Sequence, residues 1–300
     1  MSDQSPIAVL PEIDALKRAV AGKSYWRRVG EQLLRDRLTL SVMLLLSVII
    51  IMVLAAPLFA THDPTVGSVL KRLKSPGYPG HWLGTDEVGR DLWSRILYAG
   101  RYSLLCGVLP VLLALLIGGV LGLSAGYFGG TTNSIIMRSM DVLYAFPSIL
   151  LAVAICGMLG SGIGNTILAL TITFIPPLVR ISETVTTQVR AFEFVEAARA
   201  SGARPLSIMH FHILNNVLGP ILVYATSLIS ISIILAAGLS FLGLGVTPPD
   251  TEWGLMLNNL RQAIWVNPLV AALPGAMIFI TSMCFNLMSD GLRGAMDVRM

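Results

Sequence analysis

Charged residues are scarce in this chain of 300 residues. Asp, Glu, Lys and Arg make up only 13% of it, hydrophobic residues make up 54%, and the mean hydropathy is +0.74. Soluble domains carry about 25% charged residues, so the composition argues against a water-soluble globule. The net charge of +4 is modest, and nucleic-acid binding would require basic residues clustered on one face. We therefore expect no nucleic-acid partner.

Cysteine and histidine are also rare, with three and four copies. Cys106, Cys156 and Cys284 all lie inside apolar runs, where cysteine usually packs as a small hydrophobic side chain. His210 and His212 are two residues apart, so on a helix they point to different sides and make a poor metal pair. These patterns predict no disulfide, no metal site and no cofactor. The spans also lack the ladder of ionisable residues that is typical of proton-driven carriers.

Long charge-free runs dominate the chain, at 38–61, 102–137, 142–179, 205–249 and 262–289. About 20 apolar residues in a helix cross the hydrocarbon layer, and each run exceeds that length. The turn-like cluster at 160–165 divides the third run into two crossings. The fold class predicted is an all-α integral membrane protein with six transmembrane helices, at about 39–60, 103–126, 136–159, 165–188, 217–244 and 268–289. Arg138, Asp141, Arg180 and Glu183 are expected at span ends, where long side chains can snorkel.

The distribution of basic residues predicts the orientation, because Lys and Arg accumulate on the cytoplasmic side. With both termini cytoplasmic, 14 of the 21 Lys and Arg residues lie on that side. The polar N-terminus does not resemble a cleavable signal. The resulting segments are a cytoplasmic tail (1–37), a first transmembrane helix (38–61), a periplasmic loop (62–101), a core of five transmembrane helices (102–290) and a cytoplasmic C-terminus (291–300).

Three short motifs imitate enzyme or nucleotide sites. Gly22-Lys23-Ser24 ends like a phosphate-binding loop but lacks the earlier glycine and the preceding strand. The cluster at 160–165 has Asn165 where a dinucleotide fingerprint needs its third glycine. Gly122-Leu123-Ser124-Ala125-Gly126 matches the serine-hydrolase elbow, so an intramembrane hydrolase using Ser124 is a distant alternative, although no base is expected beside it. Small residues recur every four positions around it and favour close helix packing; they are Ala114, Gly118, Gly122, Gly126 and Gly130.

The loop at about 190–215 carries a more specific pattern. Glu196, Ala197 and Ala198 favour a helix, Gly202 can end it, and Pro205 can begin a second short helix. This spacing predicts a rigid helix-turn-helix. The small residues would let it enter a groove on a partner protein, with apolar area for docking from Leu206, Ile208 and Met209.

This loop resembles the Glu-Ala-Ala…Gly loop of ABC-importer permeases. Further matches follow in the order of that family: His81-Trp82-Leu83-Gly84-Thr85-Asp86, Met140-Asp141, Ala145-Phe146-Pro147, Leu239-Ser240-Phe241-Leu242-Gly243 and Phe285-Asn286 through Arg293. Together they are similar to dipeptide and oligopeptide importer permeases, specifically the DppC/OppC type, over about residues 39–297. One departure is Asn215, where the family commonly has proline.

The resemblance implies a bacterial inner-membrane complex. Its members would be this chain, a homologous second permease, two ATP-hydrolysing subunits and a periplasmic solute-binding protein, and the chain itself would be no enzyme. The ATPase-coupling residues implied are Glu196, Ala197, Ala198, Gly202, Ala203 and Arg204. The cargo would be a dipeptide or oligopeptide, or alternatively glutathione, an opine or a nickel chelate. A stand-alone channel is a further alternative.

The segment at 85–102 is predicted to form an amphipathic helix in the periplasmic loop. Thr85 is its expected N-cap, and its apolar side would hold Leu92, Trp93, Ile96 and Leu97. Such a helix would either lie at the outer surface near the binding protein or cover the helix bundle.

Overall fold

The computed structural model describes residues 25–296, so the phosphate-loop-like tripeptide at 22–24 and most of the N-terminal tail lie outside it. Over that range the chain is helical, and its β-type pairing is limited to isolated bridges in the segment 67–91. We number the helices α1 (Tyr25–Arg35), α2 (Arg37–Leu54), α3 (Leu92–Phe128), α4 (Gly130–Tyr144), α5 (Ser148–Leu159), α6 (Ile163–Arg190), α7 (Glu193–Ala200), α8 (Pro205–Phe241), α9 (Trp253–Leu260) and α10 (Pro268–Met296).

Five of these helices, α2, α3, α6, α8 and α10, are long and apolar enough to cross a membrane. The third crossing expected from the sequence, at 136–159, is not one straight helix. It consists of α4 and α5, which meet at an angle of 82° around residues 145–147. Pro147 explains the break, since proline disfavours helical geometry in the preceding residue and lacks an amide donor. Counted as one broken span, the pair gives up to six crossings.

The helices α3 and α6 touch along the predicted stripe of small residues. A Cβ atom on Gly122 would lie 2.5 Å from both the Ser182 Cβ and the Val179 carbonyl oxygen. Added Cβ atoms on Gly118 and Gly126 would likewise meet α6, at 2.9 Å from the Leu178 Cβ and 2.7 Å from the Thr186 Cβ. Only glycine permits this approach, which confirms the packing role expected for three of the five positions. A Cβ atom added to Gly130 would meet nothing within 4 Å, so this position lies outside the contact.

The prediction of an amphipathic helix at 85–102 is wrong about the residue at which the helix begins and about the residue that caps it. Its apolar residues belong to α3, which begins at Leu92 and continues into the membrane. Asp91 is the N-cap, because its carboxylate accepts a hydrogen bond from the Ser94 amide at 2.8 Å. Thr85 is instead buried in the preceding loop, where its hydroxyl accepts from the Lys74 amide. Leu92, Ile96 and Leu97 are buried against the bundle. Of the two roles expected for this segment, the structure therefore shows the one in which it covers the helix bundle.

The loop between α2 and α3 is stiffened by buried charge pairs. Asp86, which is fully buried, accepts hydrogen bonds from the side chains of Arg95 and Arg90. At the same end of the bundle, the Trp253 indole donates to the Ile96 carbonyl at 3.0 Å. This bond ties α9 to α3. Buried ion pairs contribute little net stability, but removing one partner is strongly destabilising, so these contacts define the shape of this end.

Both ends of the described chain lie on one side of the bundle. Gln32 donates from Nε2 to the Gly294 carbonyl at 3.4 Å. A Cβ atom on Gly291 would lie 2.8 Å from the Thr39 Cβ, so α2 and α10 also approach closely. The first and last helices of the described chain therefore meet at that side.

We predict that Gly122→Ala destabilises the protein, because the new methyl group would overlap with the α6 backbone. Overpacking of this kind costs about 1–3 kcal/mol. Gly119→Ala, three residues away on the same helix, is the matched control, since it has nothing within 4 Å of the added carbon. Thermal unfolding in detergent should show a lower midpoint for the first variant only. Equal midpoints would contradict the contact.

We also predict that stability depends on the ionisation of Glu252, which lies outside the spans at the start of α9 and is 1% exposed. Burial raises the pKa of Glu252 to about 7. The folded state therefore holds this proton more tightly than the unfolded state, and the free energy of unfolding falls as pH rises from about 4.5 towards 7. Glu252→Gln should remove this loss and gain about 3 kcal/mol over the wild type at pH 8.

The measurement is the unfolding midpoint in detergent between pH 5 and pH 8. Glu193→Gln, at an exposed glutamate on α7, is the control and should follow the wild-type profile. A Glu252→Gln profile parallel to the wild type would contradict the prediction.

Candidate functional site

The loop that the sequence singled out folds as a hairpin of two helices, α7 and the start of α8. Glu193 and Glu196 occupy the first turn of α7 and Arg199 its last turn, so their charges complement the helix dipole. Gly202 ends the helix with a φ of 77°, where other residues are strained. Pro205 then begins the next helix in its first turn. We call residues 190–215 the α7–α8 hairpin.

One part of the hairpin differs from the sequence prediction, because the second helix is not short. It continues from Pro205 to Phe241 as a single helical segment of 37 residues, which corresponds to a length of about 55 Å. It includes a wider, π-helical turn over Ile208–Ile213 near the hairpin. The hairpin is therefore one end of a membrane-spanning helix.

A buried apolar cluster holds α7 against the bundle. Val195 is fully buried and packs with residues of α3, α6 and α8; the buried members of the cluster are Tyr127, Val185, Val189, Val195, Ile208, Met209, Ile213, Val217 and Ile221. The expectation that Ile208 and Met209 supply docking area is therefore wrong. Both side chains face inward, at 1% and 8% exposure.

The outward face of the hairpin carries four large apolar side chains. Phe192, Phe194, Leu206 and Phe211 are 51%, 40%, 75% and 65% exposed. Large exposed apolar patches mark sites of interaction with proteins or lipid. Of these four residues, only Leu206 was expected from the sequence. The three phenylalanines follow no common helical periodicity in the sequence, since Phe192 precedes α7, Phe194 lies within α7 and Phe211 lies in α8.

The six predicted coupling residues divide into two groups around this apolar face. Glu196, Ala197, Gly202 and Arg204 are exposed, whereas Ala198 and Ala203 are half-buried and pack against the Val195 cluster. The hairpin thus presents charged and small residues together with the four apolar side chains. This surface suits a protein groove that accepts close backbone approach.

Two arginines tie the hairpin to the α3–α6 contact. Arg190 donates from Nη1 to the Gly126 carbonyl at 3.2 Å. The Arg199 guanidinium lies over the Tyr127 ring, 5.9 Å from its centroid, within the range of a cation–π contact. The hairpin is therefore coupled to α3 and α6, and a movement of the hairpin would also move these two helices.

The comparisons with known proteins agree with this architecture. The profile of binding-protein-dependent transport system inner membrane components matches residues 118–300, more than half of the chain. The chain belongs to this family. A second profile, the N-terminal TM domain of oligopeptide transport permease C, matches residues 24–76 of the permease.

Relatives of the permease share about 40% of its sequence. The glutathione transport system permease protein GsiD of Pectobacterium atrosepticum is 40% identical over 98% of this chain and 96% of its own length. The dipeptide transport system permease protein DppC of Alkalihalophilus pseudofirmus is 39% identical over 92% and 91%. The probable D,D-dipeptide permease DdpC of Escherichia coli is 39% identical over 87% of both chains. These relatives confirm the resemblance to DppC/OppC-type permeases.

Solved structures support the fold. Two crystal forms of the MetNI methionine ABC transporter in inward facing conformations contain a chain with TM-scores of 0.55 and 0.56, at 19% and 17% identity. Each match covers 68% of the permease, and 96% or 97% of the solved chain. The permease therefore has the fold of an ABC-importer transmembrane subunit.

Two other places in the permease carry residue types that are used in catalysis or metal binding. The Ser124 hydroxyl donates to the Val120 carbonyl of its own helix at 2.7 Å, and its neighbouring glycines are explained by the α3–α6 contact.

In the loop before α3, donor atoms of His62, His81 and Asp91 lie within 4.8 Å of one another. Sequence spacing did not indicate this grouping, because 19 positions separate His62 from His81 and 10 separate His81 from Asp91. Asp91 already caps α3 and accepts from the His81 Nδ1 position at 2.9 Å, which gives the pair a structural role.

Proposed function

We propose that the permease forms half of the translocation pathway of an ATP-driven importer for dipeptides, oligopeptides or related small solutes. The outward face of the α7–α8 hairpin supports this proposal most directly. It exposes four large apolar side chains on a segment anchored by Val195, and a soluble partner would bury them. In this assignment the partner is one of two ATPase subunits, and a second permease completes the pathway.

The orientation belongs to the same proposal. If the side that holds both chain ends is cytoplasmic, most Lys and Arg residues lie there, in agreement with the positive-inside rule. The hairpin then faces the cytoplasm of a bacterial cell, where ATP is available. The loop before α3 lies on the periplasmic side, where a solute-binding protein would dock. The permease itself needs neither cofactor nor catalytic residue, since its ATPase partners supply the chemistry.

The mechanism follows from the connections of the hairpin. A push on α7 is transmitted to α8 through Val195 and its buried cluster, and to α3 and α6 through Arg190 and Arg199. Packed helices move as rigid units rather than deforming continuously. Closure of the ATPase pair would therefore tilt these helices together and change the side to which the pathway opens.

Glutathione is the second candidate cargo. The relatives named glutathione permease GsiD match almost the whole chain. Glutathione is itself a tripeptide with free charged groups, so it lies within the chemical class proposed. Its import would need the same hairpin and the same partners.

We predict that Leu206→Glu prevents ATPase binding, because it places a charge at the most exposed apolar residue of the hairpin face. Leu70→Glu is the matched control, since Leu70 is 91% exposed in the loop on the other side of the bundle. Copurification in mild detergent should recover the ATPase with the Leu70→Glu variant. The amount of ATPase recovered with the Leu206→Glu variant should be at least about tenfold lower, as expected for a central interface residue. Equal retention would contradict the proposed docking face.

We also predict that Glu196→Lys and Gly202→Asp each abolish uptake while membrane insertion remains intact. Glu196→Lys reverses a charge at the α7 N-terminus, and Gly202→Asp strains the turn with its φ of 77°. The measurement is ATP-dependent uptake by reconstituted complexes, with protein abundance in the membrane as the control. Normal transport by both variants would show that the coupling assignment is wrong.

A further inference from the structure

An ion pair lies on the accessible surface of the chain, inside its membrane-spanning helices. Arg180 donates from Nη2 to the Asp141 Oδ1 at 2.5 Å, and the two side chains are 43% and 56% exposed. Arg180 is 17 residues from the start of α6 and 10 from its end, so about 26 Å and 15 Å of helix extend on either side. The position of Arg180 at a span end stays a prediction, and the structure adds its pairing with Asp141.

The ion pair by itself contributes little to the stability of the protein. Exposed ion pairs contribute about 0–1 kcal/mol, whereas charged residues within a span are costly and usually face a water-filled cavity. We therefore expect an exposed ion pair on membrane-spanning segments to face water or another polar surface rather than lipid.

The surroundings of the pair are those of a small binding site. The Arg180 guanidinium stacks over the ring of Tyr144, 4.6 Å from the centroid, which fixes the orientation of its planar donor group. Beside it, at the break between α4 and α5, is a cavity of about 310 Å³. Its lining includes Tyr144, Pro147, Thr173 and Pro176. Broken spans of this kind form substrate sites in other transporters.

Polar groups continue from the pair towards the hairpin. Glu183 accepts from Asn133 Nδ2 at 2.7 Å and from the Thr187 hydroxyl at 3.1 Å. Arg180, Glu183 and Thr187 are spaced so that they share one side of α6, next to the side that contacts α3. A polar track therefore runs along α4 and α6.

We propose that Asp141 and Arg180 line the translocation pathway and contact the charged ends of a zwitterionic peptide as it passes. This inference rests on the proposed function, which makes the uncovered face of the chain a pathway wall. The Asp141 carboxylate receives the peptide ammonium group. Arg180 has five N–H donors and uses one of them on Asp141, so others remain for the peptide carboxylate. Because the pair is neutral overall, it matches a cargo that carries both charges.

The first test measures water access at the pair in the complete complex with its partner permease and ATPases. Asp141→Cys is made in a chain whose three buried cysteines are replaced by alanine, and its reaction with charged, membrane-impermeant methanethiosulfonates is followed. We expect labelling at least tenfold faster than at Leu116→Cys, a control on α3 that is 67% exposed among apolar neighbours. The anionic reagent should react faster than the cationic one because Arg180 remains. Labelling no faster than at Leu116→Cys would overturn the proposal.

The second test separates contact with cargo from a structural role. The double variant Asp141→Leu/Arg180→Met replaces the pair by apolar side chains of similar size, and an exposed ion pair contributes only about 0–1 kcal/mol to stability. We expect an unchanged unfolding midpoint and normal ATPase copurification, but at least tenfold slower uptake of alanyl-alanine in proteoliposomes. Wild-type uptake by this variant would overturn the proposal. Loss of ATPase copurification by the wild-type chain would instead contradict the proposed function.

Discussion

The close contact between α3 and α6 is the constraint on which the rest of the permease depends. Glycines at 118, 122 and 126 bring the α3 backbone against Val179 and Glu183 of α6, and in lipid such contacts replace the hydrophobic effect as the force between helices. The contact fixes the rotation of α6 about its axis. One side of α6 is thereby committed to α3, and the adjacent side, with the side chains of Arg180 and Thr187, remains accessible beside α4. The same contact supports the hairpin, since Arg190 bonds to Gly126.

Patterns formed by residues close together in the sequence were sufficient to predict much of the fold. Charge-free length predicted the spans, the four-residue repeat of small residues predicted that another helix packs closely on this stretch, and Gly202 and Pro205 predicted where the hairpin helices end and begin. Each of these features depends on residues that are close in sequence. The break between α4 and α5 also has a local signal, Pro147, which the long apolar run obscured.

The remaining features depend on contacts between distant residues. Arg95 lies in the segment predicted as an amphipathic helix, yet its side chain is buried and paired with Asp86. Ile208 and Met209 looked available for docking, yet Val195 and its cluster bury them. Asp141 and Arg180 were each assigned to the end of a span, and only the three-dimensional arrangement pairs them across 39 residues of sequence. The candidate site could thus be located from sequence, but its outward face could not.

The central claim is that work enters the permease through the hairpin and reaches the pathway along the helices that the hairpin contacts, α3, α6 and α8. A photo-crosslinking amino acid at Ala197, an exposed position in α7, tests it most directly in the assembled complex. The account predicts an adduct with an ATPase subunit, formed from the cytoplasmic side. An adduct with the solute-binding protein, or none with an ATPase in a complex that hydrolyses ATP, would contradict it.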